Sequence, residues 1–308
     1  MLLSIGNPVF DLITTPFIRT ESRILSGCSI NAAIVYRKLG GSSMVVGNIG
    51  PDYQAICFEF LEKERIDYSL NVNGKSGGFN LFYHTITERD LTVWQQADPI
   101  THWPCLEQMP AFILAGPILN EISLDYIEQL KSRFPHATYV LDPQGFLRRS
   151  EQNRVVHYRP ENYRQILTHF DIIKPNELEA EILTGIDPKR HPREAMKAMI
   201  ELSPPESIVI ITLSDKGAMA YEAGHYFYLP AYPANAIDST GVGDAFAGSL
   251  LRARAMGKTM PEQLAMATAA SSFVVEQVGP FFEFPSEAYQ ARVSAMLNRI
   301  QEEIPDEL

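Results

Sequence analysis

The 308-residue sequence predicts an α/β fold whose mostly parallel central sheet carries helices on both faces. Short apolar runs typical of strands buried on both faces recur along the chain. Helix-length segments with an apolar period near 3.6 residues lie between these runs. Strands and helices that alternate in this way build a mainly parallel sheet with helices on both sides.

The predicted strands are residues 2–5, 44–49, 112–115, 139–141, 172–173 and 208–212. The predicted helices between them are residues 30–39, 53–64, 124–133, 176–183 and 193–202. Residues 218–229 are interpreted as a hairpin, and the chain after Gly243 is predicted to be helical.

Two segments break the alternation of strand and helix. Residues 14–25 and 68–96 alternate polar and apolar side chains without a helical period. Such alternation predicts antiparallel strands, and here it predicts a small β lid on one side of the main sheet. No repeat or linker composition divides the chain, so residues 1–308 are expected to form a single domain.

Composition excludes several classes of partner. The formal net charge is −11, which argues against binding to nucleic acid or to an anionic membrane surface. No apolar stretch is long enough to span a bilayer, and the apolar start is too short for a signal peptide. The three cysteines are few and odd in number, which suits reduced thiols. These features predict a cytoplasmic protein.

The stretch IDSTGVGDAF at residues 237–246 combines a glycine turn with the start of a helix. The backbone N–H groups of Gly241, Val242 and Gly243 are expected to form an anion-binding nest, and the helix dipole adds to the attraction. Asp244 has two interpretations at this point. It stabilises the helix N-terminus, as aspartate often does, or it accepts a proton from a substrate hydroxyl.

Two common nucleotide-binding motifs do not fit. The sequence contains no Gly-x-x-x-x-Gly-Lys-Ser/Thr, which excludes a P-loop of the usual kind. In the turn, Phe246 stands where a dinucleotide fingerprint requires Gly or Ala, which argues against a dehydrogenase.

Residues 238–244, DSTGVGD, resemble the Asp-Thr-x-Gly-Ala-Gly-Asp signature of the ribokinase/PfkB carbohydrate kinase family. Further segments resemble that family in the same order along about residues 1–290. They are residues 6–11, 26–31 with 39–41, 46–52, 176–179 and 211–218. The resemblance implies a ribokinase-like fold. It also implies an ATP-dependent kinase that phosphorylates a hydroxyl of a small polyhydroxylated acceptor.

The resemblance also implies a role for each matching residue. Asp244 is the general base, and Gly241, Val242 and Gly243 neutralise the transferred phosphoryl group. The residues implied in acceptor binding are Asp11, Gly27 and Asn31. Those implied in ATP binding are Asn176, Thr212, Gly217, Thr268 and Gly279. Asn176 and Glu179 are implied to hold Mg²⁺ through water, and Asp238 to lie at a monovalent cation site for K⁺.

Some of these residues have a purely structural alternative. Asn176 and Glu179 also fit a capping box, with Asn as the N-cap and Glu three residues later. Arg148 or Arg149 either binds a sugar phosphate or lies on a helix with its side chain in solvent, and the second interpretation is favoured. A non-catalytic sensor of the same fold is the alternative function, although such a protein is expected to lose the base.

The acceptor is less well defined than the reaction. Ser26 and Cys28 depart from the pattern of ribose-specific members. Segments 116–121, 141–148 and 275–280 resemble the inositol-kinase branch of the family. The expected acceptor is therefore a sugar, a polyol such as myo-inositol, or a nucleoside. Because lids in relatives mediate dimerisation, a homodimer formed through the lid is also expected.

Overall fold

A computed structural model describes residues 1–85, 88–106 and 108–307 of the chain. Its strands are β1 (Leu2–Ile5), β2 (Val9–Thr14), β3 (Ile24–Ser26), β4 (Ser43–Ile49), β5 (Asp67–Val72), β6 (Gly78–Tyr83), β7 (Arg89–Gln95), β8 (Phe112–Ala115), β9 (Thr138–Leu141), β10 (Arg148–Glu151), β11 (Arg154–His157), β12 (Ile172–Ile173), β13 (Ile208–Thr212), β14 (Ala218–Glu222) and β15 (His225–Leu229). Its α-helices are α1 (Cys28–Lys38), α2 (Gln54–Lys63), α3 (Leu124–Arg133), α4 (Tyr163–Leu167), α5 (Glu177–Thr184), α6 (Pro192–Leu202), α7 (Val242–Ala255), α8 (Met260–Val274) and α9 (Ser286–Leu297).

Across the described residues, the main sheet has the strand order β15-β14-β13-β12-β9-β8-β1-β4-β5. The strands from β13 to β5 are parallel, and β14 and β15 form an antiparallel hairpin at one edge. Successive side chains of a strand point to opposite faces. Accordingly, Leu2 and Leu3 of β1 lie in two different hydrophobic clusters. The predicted α/β fold, a mostly parallel sheet covered on both faces, is confirmed.

A second sheet has the strand order β10-β11-β7-β6-β2-β3 and forms the lid. Residues 14–25 contain a turn closed by a bridge between Thr14 and Arg19, followed by the start of β3. The expectation that the second lid segment begins at Tyr68 is wrong, because Asp67–Val72 is β5 and pairs in parallel with β4. This strand is at the edge of the main sheet and is largely exposed, so its alternation resembled that of a lid strand. Residues 86 and 87 of that segment lie outside the described part.

The lid also contains a hairpin that the sequence analysis missed. Strands β10 and β11 pair with each other, and β11 is bridged to β7 through Arg154 and Thr92. The two residues between these strands, Gln152 and Asn153, have φ values of 50° and 62°. Two consecutive positive φ values are typical of the tight turns of hairpins. The chain therefore passes from the main sheet into the lid at Arg148.

Helix α7 packs directly on α1 because Gly248 has no side chain. A Cβ atom at Gly248 would lie only 2.3 Å from the carbonyl oxygen of Ala32 in α1. This close approach places Asn31 of α1 beside the first turn of α7. Within the described residues, none of the helices has the length and apolar composition needed to cross a membrane.

Candidate active site

A cavity of about 880 Å³ lies between the lid and the carboxyl ends of the parallel strands, where ligands of open α/β sheets bind. The predicted residues that line it are Asp11, Gly27, Asn176, Glu179, Thr212, Gly217, Gly241, Val242, Gly243, Asp244 and Thr268. Asn31, Asp238 and Gly279 were predicted with them but are not part of its wall. The cavity thus joins the two predicted ends of the site, one for the acceptor and one for ATP.

The glycine turn starts α7 at the wall of this cavity. Gly241 has φ 79°, and the first bond of the helix runs from the Ala245 amide to the Gly241 carbonyl at 2.8 Å. The amides of the first turn precede that bond and have no acceptor one turn earlier in the helix. The Val242 amide has only a long contact of 3.4 Å with the Ser239 carbonyl. Val242 is partly buried and packs against a hydrophobic cluster, and it also lines the cavity.

Asp244 is held from another helix rather than by its own. Its Oδ2 accepts a hydrogen bond of 2.9 Å from Nδ2 of Asn31. Burial raises the pKa of Asp244 and the Asp142 carboxylate raises it further, whereas Asn31 and Lys174 lower it. The carboxylate is therefore a stronger base than an exposed aspartate, and its position does not depend on capping the helix.

A buried ion pair that was not predicted lies beside Asp244. Lys174 follows β12, Asp142 follows β9, and Lys174 Nζ lies 2.9 Å from Asp142 Oδ2. Burial alone would lower the pKa of Lys174, but the carboxylates of Asp142 and Glu179 raise it well above its ordinary value. The ammonium group also lies at the glycine turn, since a Cβ atom at Gly243 would be 3.8 Å from Nζ. The signal in the sequence was the charged residue at the end of each strand.

The predicted capping box at residues 176–179 is present. The Glu179 amide donates to Asn176 Oδ1 at 2.9 Å, and the Asn176 amide donates to Glu179 Oε2 at 2.9 Å. Asn176 Nδ2 also donates to Glu179 Oε1, at 2.7 Å. Burial raises the pKa of Glu179 to about 7, assisted by the neighbouring Asp142 carboxylate. Both oxygens of Glu179 are thus engaged at the start of α5.

Asp11 belongs to strand β2 of the lid sheet and lines the cavity from that side. It is buried, and its Oδ1 accepts a hydrogen bond of 3.0 Å from the Phe79 amide of β6. Burial raises the pKa of Asp11 to about 6, against the opposing effect of the Phe79 and Ser26 hydrogen bonds. Gly27 adjoins it at the start of α1, where φ is 115° and a Cβ atom would lie 3.1 Å from the Asn7 carbonyl.

Of the remaining predicted residues, Thr212 lines the cavity, whereas Asp238 and Gly279 lie outside its wall. Thr212 ends β13, where its amide bonds the Pro175 carbonyl at 3.1 Å. Asp238 is buried behind the turn, and its Oδ1 accepts the Thr240 amide at 2.9 Å. Gly279 lies against β3, where a Cβ atom would be 3.2 Å from Ile24 Cδ1. Gly279 is therefore displaced from the cavity edge at which it was expected.

Arg148 and Arg149 follow a 3₁₀ helix of residues 143–147, and their surroundings differ from those expected. Neither lies on a helix, because both belong to β10. Arg148 is buried at the cavity wall, whereas Arg149 is exposed and pairs with Glu151. The favoured expectation of a solvated side chain is thus wrong for Arg148, whose strand is folded into the lid sheet.

Known proteins share this architecture. The profile of the pfkB family carbohydrate kinases matches residues 17–286. An ATP-dependent 6-phosphofructokinase of Thermoanaerobacterium thermosaccharolyticum is 24% identical over 310 residues, covering 92% of this chain and 90% of the relative. A pyrophosphate-dependent kinase of the ribokinase family, solved with a pyrophosphate analog and myo-inositol, superposes with a TM-score of 0.80 at 20% identity, covering 94% of this chain and 100% of that one.

A ribokinase from Cryptococcus neoformans var. grubii, solved with ADP, superposes with a TM-score of 0.75 at 22% identity. That match covers 96% of this chain and 99% of the ribokinase. At such identities the two solved structures establish the shared fold.

Proposed function

Since the chain belongs to the pfkB family of carbohydrate kinases, we propose that it transfers the γ-phosphoryl group of ATP to a hydroxyl of a small polyhydroxylated acceptor. One observation carries the proposal. The Asp244 carboxylate borders the same cavity as the residues at the start of α7, and Asp11 borders it from the lid sheet. A base and an anion-binding turn thus lie beside a space that a hydroxylated molecule can occupy.

Asp244 is the general base in this proposal. Asn31 bonds one oxygen of its carboxylate, which orients the side chain and leaves acceptor capacity for the proton of the attacking hydroxyl. A pKa above that of an ordinary aspartate increases its ability to take the proton. Asp11 holds other hydroxyls of the acceptor, since a carboxylate accepts hydrogen bonds from two neighbouring hydroxyls.

The phosphoryl group is held by positive charge at the turn. The amides of Gly241, Val242 and Gly243 and the dipole of α7 face the position at which negative charge develops. The ammonium group of Lys174, which is paired with the Asp142 carboxylate, lies at the same place. These groups stabilise the transferred phosphoryl group during an in-line displacement. We place the rest of the ATP against Thr212, Gly217 and Thr268.

The donor set at the start of α5 fits Mg²⁺ held through water. Asn176 and Glu179 offer oxygen ligands, which Mg²⁺ prefers, but both Glu179 oxygens already accept hydrogen bonds. A cation at this point would therefore keep its own water molecules between itself and the protein. Mg²⁺ bound with ATP supplies neutralisation of the phosphate charges. The buried carboxylate of Asp238 is the residue we propose for a monovalent cation such as K⁺.

Replacement of Asp244 by Asn tests the reaction. We expect Asp244→Asn to bind ATP normally in calorimetry and to lose about 10²- to 10⁴-fold in turnover, because the amide cannot accept the proton. The matched control is Asp125→Asn, an exposed aspartate in the first turn of α3 and remote from the cavity. Phosphoryl transfer near the normal rate by Asp244→Asn would refute the assignment of the base.

The donor and the catalytic nature of the protein are tested together. ATP and pyrophosphate are compared as donors against a panel of sugars, myo-inositol, nucleosides and sugar phosphates, with the phosphorylated product measured directly. Transfer from ATP is expected. Preference for pyrophosphate would overturn the proposed donor. Nucleotide binding without transfer to any acceptor would instead favour the alternative of a non-catalytic sensor.

A further inference from the structure

The cavity contains an arginine whose buried head group has no acidic partner. Arg148 begins β10 and is 8% exposed. Its Nη1 donates to Gln144 Oε1 at 2.9 Å, but its Nε has no hydrogen-bond acceptor among the described residues. Gln144 also lines the cavity and supplies a neutral oxygen, so no acid is hydrogen-bonded to the guanidinium, and the carboxylates of Glu179, Asp142 and Asp244 act on its charge only from a greater distance.

A second arginine, Arg89, borders the same space. It begins β7 and bonds the hydroxyl of Tyr83, which in turn lies 2.9 Å from Thr240 Oγ1 beside the glycine turn. Over residues 1–85, 88–106 and 108–307, neither Arg89 nor Arg148 forms a salt bridge with an acid. Both side chains line the cavity.

The topology of the lid brings the two arginines together. Arg148 is directly opposite His157 in the β10–β11 pair, and β11 is bridged to β7. Burial, together with the charges of Arg148 and Arg89, lowers the pKa of His157 to about 4. His157 is therefore neutral near pH 7, and the positive charge on this part of the lid comes from the two guanidinium groups.

The contrast with Lys174 indicates what the arginines are for. The chain gives the buried ammonium of Lys174 the carboxylate of Asp142 as a permanent partner. A buried charge without a partner is unfavourable, so such a charge is typically compensated by a ligand when the protein alone does not do so. Guanidinium groups match the oxygens of phosphate and carboxylate in geometry as well as in charge.

Resting on the proposed function, we propose that the acceptor is itself a phosphate ester, a sugar or polyol phosphate whose phosphomonoester is bound by Arg89 and Arg148. Two guanidinium groups balance a phosphomonoester dianion, whereas a carboxylate would leave one positive charge over. Asp11 then holds hydroxyls of the carbon chain. A free hydroxyl attacks the γ-phosphorus of ATP, its proton passes to Asp244, and the bond from the γ-phosphorus to the leaving ADP oxygen breaks. The phosphomonoester already present is unchanged.

Matched pairs of acceptors test this proposal. The full-length protein is assayed with ATP and Mg²⁺ against fructose and fructose 6-phosphate, ribose and ribose 5-phosphate, and myo-inositol and its monophosphate. Gluconate serves as the carboxylate arm. We expect a phosphorylated member to exceed its neutral partner in kcat/KM by about 100-fold, through a lower KM, because its charge-assisted bonds are the stronger ones. Preference for a neutral acceptor, or for the sugar acid, would overturn the proposal.

Variants at Arg148 distinguish an acceptor role from a donor role. Arg148→Met should lower kcat/KM for the phosphorylated acceptor by about 100-fold and should change kcat/KM for the neutral partner little. Arg148→Lys should keep part of the activity that Arg148→Met loses, because lysine retains the positive charge. Arg149→Met is the control, since that neighbour is exposed on the same strand. An equal loss for both acceptors would show that Arg148 serves the phosphates of ATP, which would refute the proposal.

Binding separates this inference from the proposed reaction. Calorimetry with the preferred sugar phosphate on Asp244→Asn needs no turnover, and Arg89→Met or Arg148→Met introduced into that protein should weaken binding by about 100-fold. If no acceptor is phosphorylated but this arginine-dependent binding is observed, the proposed reaction fails while the anion site stands. If phosphoryl transfer occurs but sugar phosphates bind no better than sugars, the anion site fails alone.

Discussion

Asp11 carries its carboxyl group in a buried position that raises the pKa from an ordinary value of 3.8 to about 6. The folded protein therefore binds this proton more tightly than the unfolded chain does. The contribution of Asp11 to the free energy of unfolding is therefore most favourable at low pH. It decreases as pH rises through the interval between about 4 and 6. The site thus retains an acid that is useful for binding hydroxyls at the expense of stability at neutral pH.

Asp11→Asn should therefore stabilise the fold. Asparagine removes the buried charge, and its side-chain oxygen can still accept the hydrogen bond from the Phe79 amide. A shift of this size corresponds to about 3 kcal/mol, so the free energy of unfolding should increase by about that amount at pH 8. Urea denaturation at pH 8 and pH 5 checks the result, because the gain should shrink at pH 5, where the native carboxyl is mostly protonated.

The exposed Asp125→Asn is the control for that experiment and should change stability equally at both pH values. A gain for Asp11→Asn that is the same at pH 5 and pH 8 would contradict the role of the buried charge. Weaker acceptor binding by the variant is expected in addition, since the amide presents one oxygen in place of two.

The acid limb of the kinase assay reports on Asp244. Because burial and the Asp142 carboxylate raise the pKa of Asp244, the base becomes protonated at a higher pH than an exposed aspartate would. We expect kcat to fall on acidification with an apparent pKa above 3.8, the ordinary value of aspartate. A pH profile of kcat at saturating substrates measures it. A flat profile down to that value would contradict the proton transfer.

Asp244 and its turn could be predicted from local sequence, whereas Asp11 and Asn31, whose partners lie far along the chain, were predicted only through the resemblance to the family. Asp244 and the amides of its turn lie within a few positions of one another, so the sequence contains their arrangement. Lys174 gains its meaning from Asp142, and Arg148 gains its burial from β11 and β7. The pair of Lys174 with Asp142 and the bridge from β11 to β7 join segments far apart in the chain, and the periodicity of a single segment does not report them.

Among the elements, the contact between α1 and α7 is the one on which the site depends most directly. Alanine at position 248 would normally favour a helix by about 1 kcal/mol over glycine. Here its Cβ would meet the Ala32 carbonyl at 2.3 Å, and that oxygen is part of the backbone of α1. The two helices must separate to admit it, which moves Asn31 away from Asp244.

Gly248→Ala should consequently reduce both stability and turnover. Overpacking of this kind costs about 1–3 kcal/mol, and displacement of Asn31 removes the bond that orients the base. Thermal unfolding and kcat measure the two effects. Ser249→Ala, the next residue of α7, is the control, because it removes only a 3.4 Å contact with the Tyr289 hydroxyl. Equal behaviour of the two variants would argue against the helix contact as the cause.

Buried elements could be predicted from the sequence more accurately than exposed ones. Buried parallel strands such as β1 and β8 are continuous apolar runs, and their predicted bounds agree with the structure. The edge strand β5 alternates because one of its faces is exposed, so it resembled a lid strand. Strand β10 is polar throughout and β11 has only Val155 and Val156 as apolar residues, and their Gln152-Asn153 turn was a weaker signal than a glycine-containing turn would have been.

At the scale of the whole molecule, positive charge is concentrated at one place in the cavity. The chain has a net charge of −11 and acidic side chains outnumber basic ones in the cavity wall, but Arg89 and Arg148 both lie on the wall that the lid provides. The overall negative charge disfavours polyanions such as nucleic acids, while a small anion reaches the cations within the cavity. The cavity therefore selects its ligand by size as well as by charge. The lid, whose strands β7 and β10 carry the two arginines, forms one wall of it.

The outer face of the lid leads to a prediction about assembly. Phe79 and Leu81 of β6 line the cavity, so the alternation of the strand directs Phe82 to the opposite face, where it is 52% exposed. Phe17, in the turn after β2, is 65% exposed. We propose that these aromatic side chains form part of a contact between two copies of the chain, because exposed apolar patches often mark interaction sites.

Replacing both aromatic residues by serine should convert a dimer into a monomer without destabilising the main sheet, since neither side chain belongs to the buried core. Light scattering coupled to size-exclusion chromatography measures the mass of the native protein and of the Phe17→Ser, Phe82→Ser variant. Met109→Ser is the control, because Met109 is 76% exposed in the segment before β8, outside the lid. A native protein that is monomeric, or a dimer that survives the double substitution, would contradict the contact.

Because the lid also closes the cavity, dissociation of a dimer formed through the lid should weaken acceptor binding. The monomeric variant should therefore have a higher KM for the acceptor.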